Sequence, residues 1–219
     1  MLFGTSQKLA KLDDNLNIRY REKSINVTLE YKYLGIEIDS TLNLNSHFEK
    51  VYKKSATRLK LLAKLRHQMD CKTAKAIYNT MIVPTLTYYN VHLTKRTNVQ
   101  KQNLESFVNR AKNIIKHRSN DNIHLTSLEN IGKQHLCLFV RRCLEKTVPE
   151  NFENYFKLQQ HSIGTRNNNV SIKLPKVRTE YGKRSVKFIG AQVYNSLPLN
   201  IRKSENLGEF KRGVKKVFG

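Results

Sequence analysis

The sequence predicts a mainly α chain that opens with a small antiparallel β element. Three observations predict it. β-branched and aromatic residues recur with partial alternation over residues 16–39, apolar residues recur at helical spacing in successive stretches from Asn45 onward, and no internal repeat or long low-complexity tract interrupts them.

Residues 16–39, LNIRYREKSINVTLEYKYLGIEID, read as two or three strands of a hairpin or meander, with Glu22-Lys23-Ser24 as the polar break. From Asn45 to Met69, Phe48, Tyr52, Ala56, Leu59, Leu62 and Ala63 form one apolar stripe. At 100° per residue, Lys50, Lys53, Lys54, Lys60 and Lys64 fall on the opposite side. Glu49 is the only acid in that stretch, so most of these lysines gain no partner within the helix. An unpaired lysine row repels itself and is favoured by an anion; the face is a candidate for phosphate contact.

Asp70 is placed to cap a second helix running from Cys71 or Lys72 towards Val83, with Ala74, Ile77, Tyr78, Met81 and Ile82 buried. Pro84 is expected to kink or end it, because its ring removes a donor and crowds the preceding turn. A third helix, from about Asn98 to His117, puts Leu104, Phe107, Val108, Ala111, Ile114 and Ile115 on one face. Three helices with short joints suggest a small bundle. A fourth helix is expected at 133–146. Segment 147–184, with Gly164, Asn167–Asn169 and Pro175, reads as a linker or extended arm, and two short helices split at Leu197-Pro198 complete the chain.

Charge divides the chain further. Forty Lys and Arg against seventeen Asp and Glu give a formal charge of +23. Residues 1–44 and 119–164 are balanced, whereas 45–118 carry a net +13 and 165–219 a net +10. Four segments follow: 1–44, 45–118, 119–164 and 165–219. A surface made basic only for solubility would not sort itself this way, and a polyanionic partner is the first inference. Three cysteines with no close pairing suit an intracellular reducing compartment. The opening MLFGTSQKLAKL lacks the apolar core of a signal peptide, and the longest uncharged run, Ala76 to Thr94, reads as a buried helix with no membrane role.

Catalytic chemistry is sought without success. Two-metal nucleotidyl transfer needs clustered carboxylates. The only adjacent pair, Asp13-Asp14, sits in KLDDNL, where Lys11 and Asn15 spoil a hydrophobic hairpin; a turn or helix cap is the better reading. Asp39 is expected to cap the loop after its strand. Neither His135 with Cys137 and Cys143 nor His67 with Cys71 has zinc-ligand spacing, and the nine glycines form no phosphate loop. No cofactor is expected.

Several motifs, in order, resemble the non-LTR (LINE-type, jockey-like) retrotransposon reverse transcriptases. Leu2 to Ser6, LFGTS, is similar to the strand that follows their catalytic hairpin. Tyr31 to Asp39, YKYLGIEID, resembles their K-Y-L-G-hydrophobic-x-hydrophobic-D motif, with Leu42 and His47 following. Tyr78, Ile82, Pro84, Leu86 and Tyr88 match a Y…I-x-P-x-L-x-Y signature, and Phe107 to Ile115 is similar to an L-Q-N-R-A-x-R-I-I stretch. Thr165-Arg166, Gly190-Ala191, Asn195 to Pro198 and Phe210-Lys211 resemble the family's tail. Val108 stands where Gln is common and Tyr194 where Trp is.

That resemblance implies that residues 1–40 are the last palm strands, with Tyr33, Leu34 and Gly35 in a primer-grip turn. It implies that 45–118 form a thumb lying along a template–primer duplex of RNA or DNA, followed by a helical carboxy-terminal extension. The family's F/Y-A-D-D motif would lie before Met1, so no polymerisation is expected of the chain alone. Two rival readings stand beside it: a domesticated module that binds protein or acidic partners, and a translated relic without function.

Overall fold

A computed structural model describes residues 1–11, 18–88, 97–117, 122–159 and 170–219. Helices hold 60% of these residues, and two small antiparallel hairpins precede most of them, so the chain is mainly α with a β element near its amino end. It forms two compact units, Met1–Leu61 and Leu62–Gly219. Asp13-Asp14, Gly164, Thr165-Arg166 and Asn167–Asn169 lie outside the described residues.

In the first unit, LFGTS is not a strand. Gly4 N–H donates to Ser40 C=O at 3.1 Å, and Thr5 then caps a one-turn helix, α1 (Ser6–Leu9). Four strands follow rather than two or three: β1 (Ile18–Tyr20), β2 (Lys23–Ile25), β3 (Glu30–Tyr33) and β4 (Ile36–Asp39), paired as separate hairpins β1–β2 and β3–β4. The first turn falls at Arg21-Glu22, with Arg21 at φ 55°, so Lys23 and Ser24 belong to β2 and not to the break.

The loop from β4 into α2 (Asn45–Leu65) closes on one carboxylate. Asp39 Oδ1 accepts from the amides of Thr41 (2.9 Å) and Asn43 (3.0 Å) and from the Thr41 hydroxyl (2.6 Å), and Oδ2 accepts from the Leu44 amide (2.6 Å). Leu42 and Leu44 adopt φ 54° in this turn. The cap expected of Asp39 is present. Burial pushes its pKa up, but the Thr41 hydroxyl and the amides of Asn43, Leu44 and Thr41 outweigh that and hold it below the usual aspartate value.

A folded-state pKa below the unfolded value means that the clasp stabilises the fold above the ordinary aspartate pKa and fails as pH falls through the lowered one. Asp39→Ala is expected to speed hydrogen exchange at the Thr41, Asn43 and Leu44 amides by about tenfold at pH 7. The difference from wild type should shrink as pH falls through that lowered pKa, where the wild-type carboxyl also protonates. Unchanged exchange at those amides would refute the clasp.

In the second unit a 3-10 turn, Arg66–Gln68, leads into α3 (Cys71–Ile77), capped by Asp70, whose carboxylate accepts from Thr73 N–H at 2.9 Å. Pro84 does not end this helix. The backbone widens into a π-helical stretch, Tyr78–Ile82, in which Val83 N–H donates to Tyr78 C=O, and α4 (Val83–Thr87) continues with Pro84 in its first turn. Pro84 has no amide to donate, and it follows directly on the stretch where the regular α-helical ladder is already interrupted. Ala74, Tyr78 and Ile82 are buried as expected, whereas Met81 is 54% exposed.

α5 (Asn98–Lys116) opens on a Thr97–Gln100 capping box and buries Leu104, Phe107, Ala111 and Ile115. The Arg66 guanidinium, itself buried, donates to Ile115 C=O at 2.9 and 2.8 Å and so closes the carboxyl end of α5. α6 (Leu128–Leu144) starts five residues before the expected position, because Ser127 caps it by accepting from Asn130 N–H at 3.1 Å.

The segment after α6 is not a detached arm in its described residues. α7 (Glu150–Glu153), the bridge Leu158↔Ile172 and α8 (Glu180–Lys183) hold it, with Phe156 and Ile172 in the core. α9 (Val186–Asn195), α10 (Leu199–Arg202) and α11 (Leu207–Phe218) complete the unit, three helices where two were expected. One core joins Cys137, Val140 and Cys143 of α6 to Ala191, Tyr194, Leu197, Phe210 and Val214.

In its described residues the tail motif serves packing. A Cβ on Gly190 would lie 3.0 Å from Phe156 and 3.1 Å from Val140, so helix and core approach too closely for a side chain. Asn195 bonds both backbone groups of Ile172, at 2.9 and 2.8 Å. Tyr194 and Phe210 stack with centroids 5.9 Å apart. Arg202 is buried, donating to Leu197 C=O and Ser171 Oγ.

Candidate nucleic-acid interface

Tyr33, Leu34, Gly35 and Ile36 make the β3–β4 turn, with Tyr33 paired to Ile36. Leu34 (φ 48°) and Gly35 (φ 81°) both take positive φ, which matches a two-residue turn to the right-handed twist of its strands. Glycine adopts that conformation freely; for Leu34 it costs roughly 1 kcal/mol. The strained residue is also 73% exposed, an apolar side chain at the hairpin tip with little packing to hold it.

Cross-strand pairing sorts this hairpin into two faces. Tyr31 and Tyr33 share one with their partners Ile38 and Ile36, while Glu30, Lys32, Glu37 and Asp39 share the other. The acidic face turns to α2: Glu37 is ion-paired with Lys50, Glu30 meets Ser46 at 3.5 Å, and Glu37 N–H donates to His47 Nδ1 at 3.4 Å. The aromatic face therefore points away from α2, leaving Tyr31 and Tyr33 largely exposed.

On α2, His47, Phe48, Ser55, Leu59 and Leu62 are buried and, with Leu44 just before the helix, define the inner side. Tyr52 and Ala56 are intermediate and Ala63 is exposed, so the buried stripe lies slightly to one side of the one expected from spacing. Lys50, Lys53, Lys54, Lys60 and Lys64 are all exposed, as a phosphate-contacting face requires.

They are not equivalent. Lys50 already has an anion, and its hydrogen bond to Glu37 holds that carboxyl below the usual glutamate value, so it serves the hairpin–helix junction. Lys53, Lys54, Lys60 and Lys64 pair with no carboxylate among the described residues. At 100° per residue, Lys53, Lys60 and Lys64 fall within about 40° of one another, whereas Lys54 lies apart. The three make a row about 16 Å long at 1.5 Å per residue. Leu61, 57% exposed, stands beside it.

This geometry suits electrostatic attachment to a backbone of phosphates. Among the described residues, no group of three or more His, Cys, Asp and Glu gathers as a metal site. Cys137 and Cys143 are buried, and burial pushes the Cys137 thiol up to about 12, far from a reactive thiolate. No described helix is long and apolar enough to cross a membrane. Sequence reasoning singled out the lysines and the YLG turn but missed the pairing of Lys50, the exposed face of Tyr31 and Tyr33, and Leu61. Alternation along YKYLGIEI was the available signal that Tyr31 and Tyr33 share a face, but not that this face stays exposed. No protein-family model, no curated protein and no solved structure matches the chain.

Proposed function

We propose that the chain binds nucleic-acid duplex or hybrid without reading sequence, as the end of a palm, the thumb and the extension of a non-LTR-type reverse transcriptase would. The observation that carries the reading is the Lys53–Lys60–Lys64 row. It is held on a helix whose other side is buried, and it lacks carboxylate partners among the described residues. Phosphate neutralisation with counterion release is the mechanism, and it needs no base contact. The YKYLGIEID turn supplies a strained, exposed tip in the unit that also holds Lys53 and Lys60, the place where the resemblance puts a primer grip.

A salt titration tests this. Binding of a fluorescent RNA–DNA hybrid to the purified chain is expected to weaken by orders of magnitude between about 50 and 200 mM salt. The rival reading, a protein-interaction module, draws on the exposed Tyr31, Tyr33, Leu34 and Leu29 of the hairpin region. Hybrid binding that is absent, or flat in salt, would discard the electrostatic mechanism in favour of that rival.

A further inference from the structure

We infer that α11 carries a second phosphate-contacting face, which grips a nucleic-acid backbone independently of α2. The inference shares with the proposed function the premise that the partner is nucleic acid. It stands on a different helix, one that lies wholly within the second compact unit.

Four of the twelve residues of α11 are basic: Lys211, Arg212, Lys215 and Lys216. Helical geometry places them in one arc of about 140°. All four are exposed, and none pairs with a carboxylate among the described residues. Lys211 with Lys215, and Arg212 with Lys216, are like-charged neighbours one turn apart, an arrangement that destabilises a helix by itself. The helix dipole favours Lys215 and Lys216 near the carboxyl end but gives nothing to Lys211 and Arg212. An external polyanion relieves all four.

The face is also fixed in orientation. Phe210 and Val214, on the other side, are 0% and 1% exposed. Asn206 caps the helix by accepting from Glu209 N–H at 2.8 Å, and Gln134 of α6 donates to Phe218 C=O at 3.0 Å. Those anchors decide between two anionic surfaces. A basic amphipathic helix on a lipid bilayer buries its apolar side in the membrane. Here Phe210 and Val214 are committed to the protein core, and what α11 turns outward is predominantly charge, which fits a phosphate backbone and not a bilayer.

Lysine acetylation read by mass spectrometry on the intact chain separates the sites. With saturating RNA–DNA hybrid at about 50 mM salt, Lys211, Lys215 and Lys216 are expected to lose about fivefold or more of their reactivity, and to regain it at about 500 mM. Lys157 and Lys173, exposed outside both helices, should not change. Protection of α11 but not of Lys53, Lys60 and Lys64 would sustain this inference while removing the α2 reading. Protection of α2 alone would overturn it. Protection by phosphatidylserine vesicles, without protection by hybrid, would also overturn it. Replacing Lys211, Arg212, Lys215 and Lys216 by Gln, a good helix former, should lower the salt slope of binding by about four. An unchanged slope, at wild-type helix content, would count against the inference equally.

Discussion

Reversing Lys53, Lys60 and Lys64 to Glu is expected to weaken hybrid binding by about 100-fold at moderate salt. The matched control is Lys157, Lys173 and Lys176 reversed to Glu, all exposed in the second unit and outside α11. Both triples change net charge by the same amount, so long-range attraction falls similarly and only position differs. The control should lose less than about fivefold. Arg202 cannot serve in such a control, because it is buried and bonded to Leu197 C=O and Ser171 Oγ, and its reversal would disturb the core. Circular dichroism must show wild-type helix content in both variants. Equal losses would leave α2 no better placed than any other basic surface of the chain.

The second large effect concerns stability. Phe210 is fully buried, stacks on Tyr194, and lies under the Arg141 guanidinium, 5.5 Å from its ring centroid. Phe210→Ala removes an aromatic ring from the centre of the core shared by α6, α9 and α11, and is expected to destabilise the second unit by about 3–5 kcal/mol. Val217→Ala on the same helix, where the side chain is 41% exposed, should cost less than about 1 kcal/mol. Urea unfolding followed by far-ultraviolet circular dichroism measures both. A loss below about 1 kcal/mol for Phe210→Ala would mean that α11 is not docked as described.

The helices that follow a simple period were legible from sequence. α2, α3 and α5 announce themselves by apolar spacing, and Asp70 and the Thr97–Gln100 pair mark where two of them start. α6 was placed too late because Leu128 to Gly132 show little amphipathic pattern, although Ser127 offered the cap. The π-helical stretch before Pro84 escaped notice, since one widened turn barely alters an apolar pattern. The first hairpin turn escaped because Arg21 takes positive φ where a Gly or Asn would have signalled it. Phe156 and Ile172 sit in short apolar stretches, Tyr155 to Leu158 and Val170 to Leu174, too brief to mark a helix, and only tertiary packing shows that they belong to the core.

At the candidate interface, helical arithmetic alone placed all five lysines outward. It could not show that Lys50 meets Glu37, thirteen residues earlier, because that pair depends on how β4 approaches α2. Nor could alternation tell which face of the β3–β4 hairpin would stay open. The acidic face went to the helix, contrary to the usual burial of the apolar one.

The slope of log binding constant against log salt, measured for the wild-type chain and the Lys53, Lys60, Lys64→Glu variant with the same hybrid, tests the α2 interface most directly. Each phosphate contact adds about one unit to that slope, so the variant should lie about three units shallower than wild type, with the Lys157, Lys173, Lys176→Glu control close to wild type. A variant whose slope matches wild type, whatever its affinity, would show that the three lysines meet no phosphate.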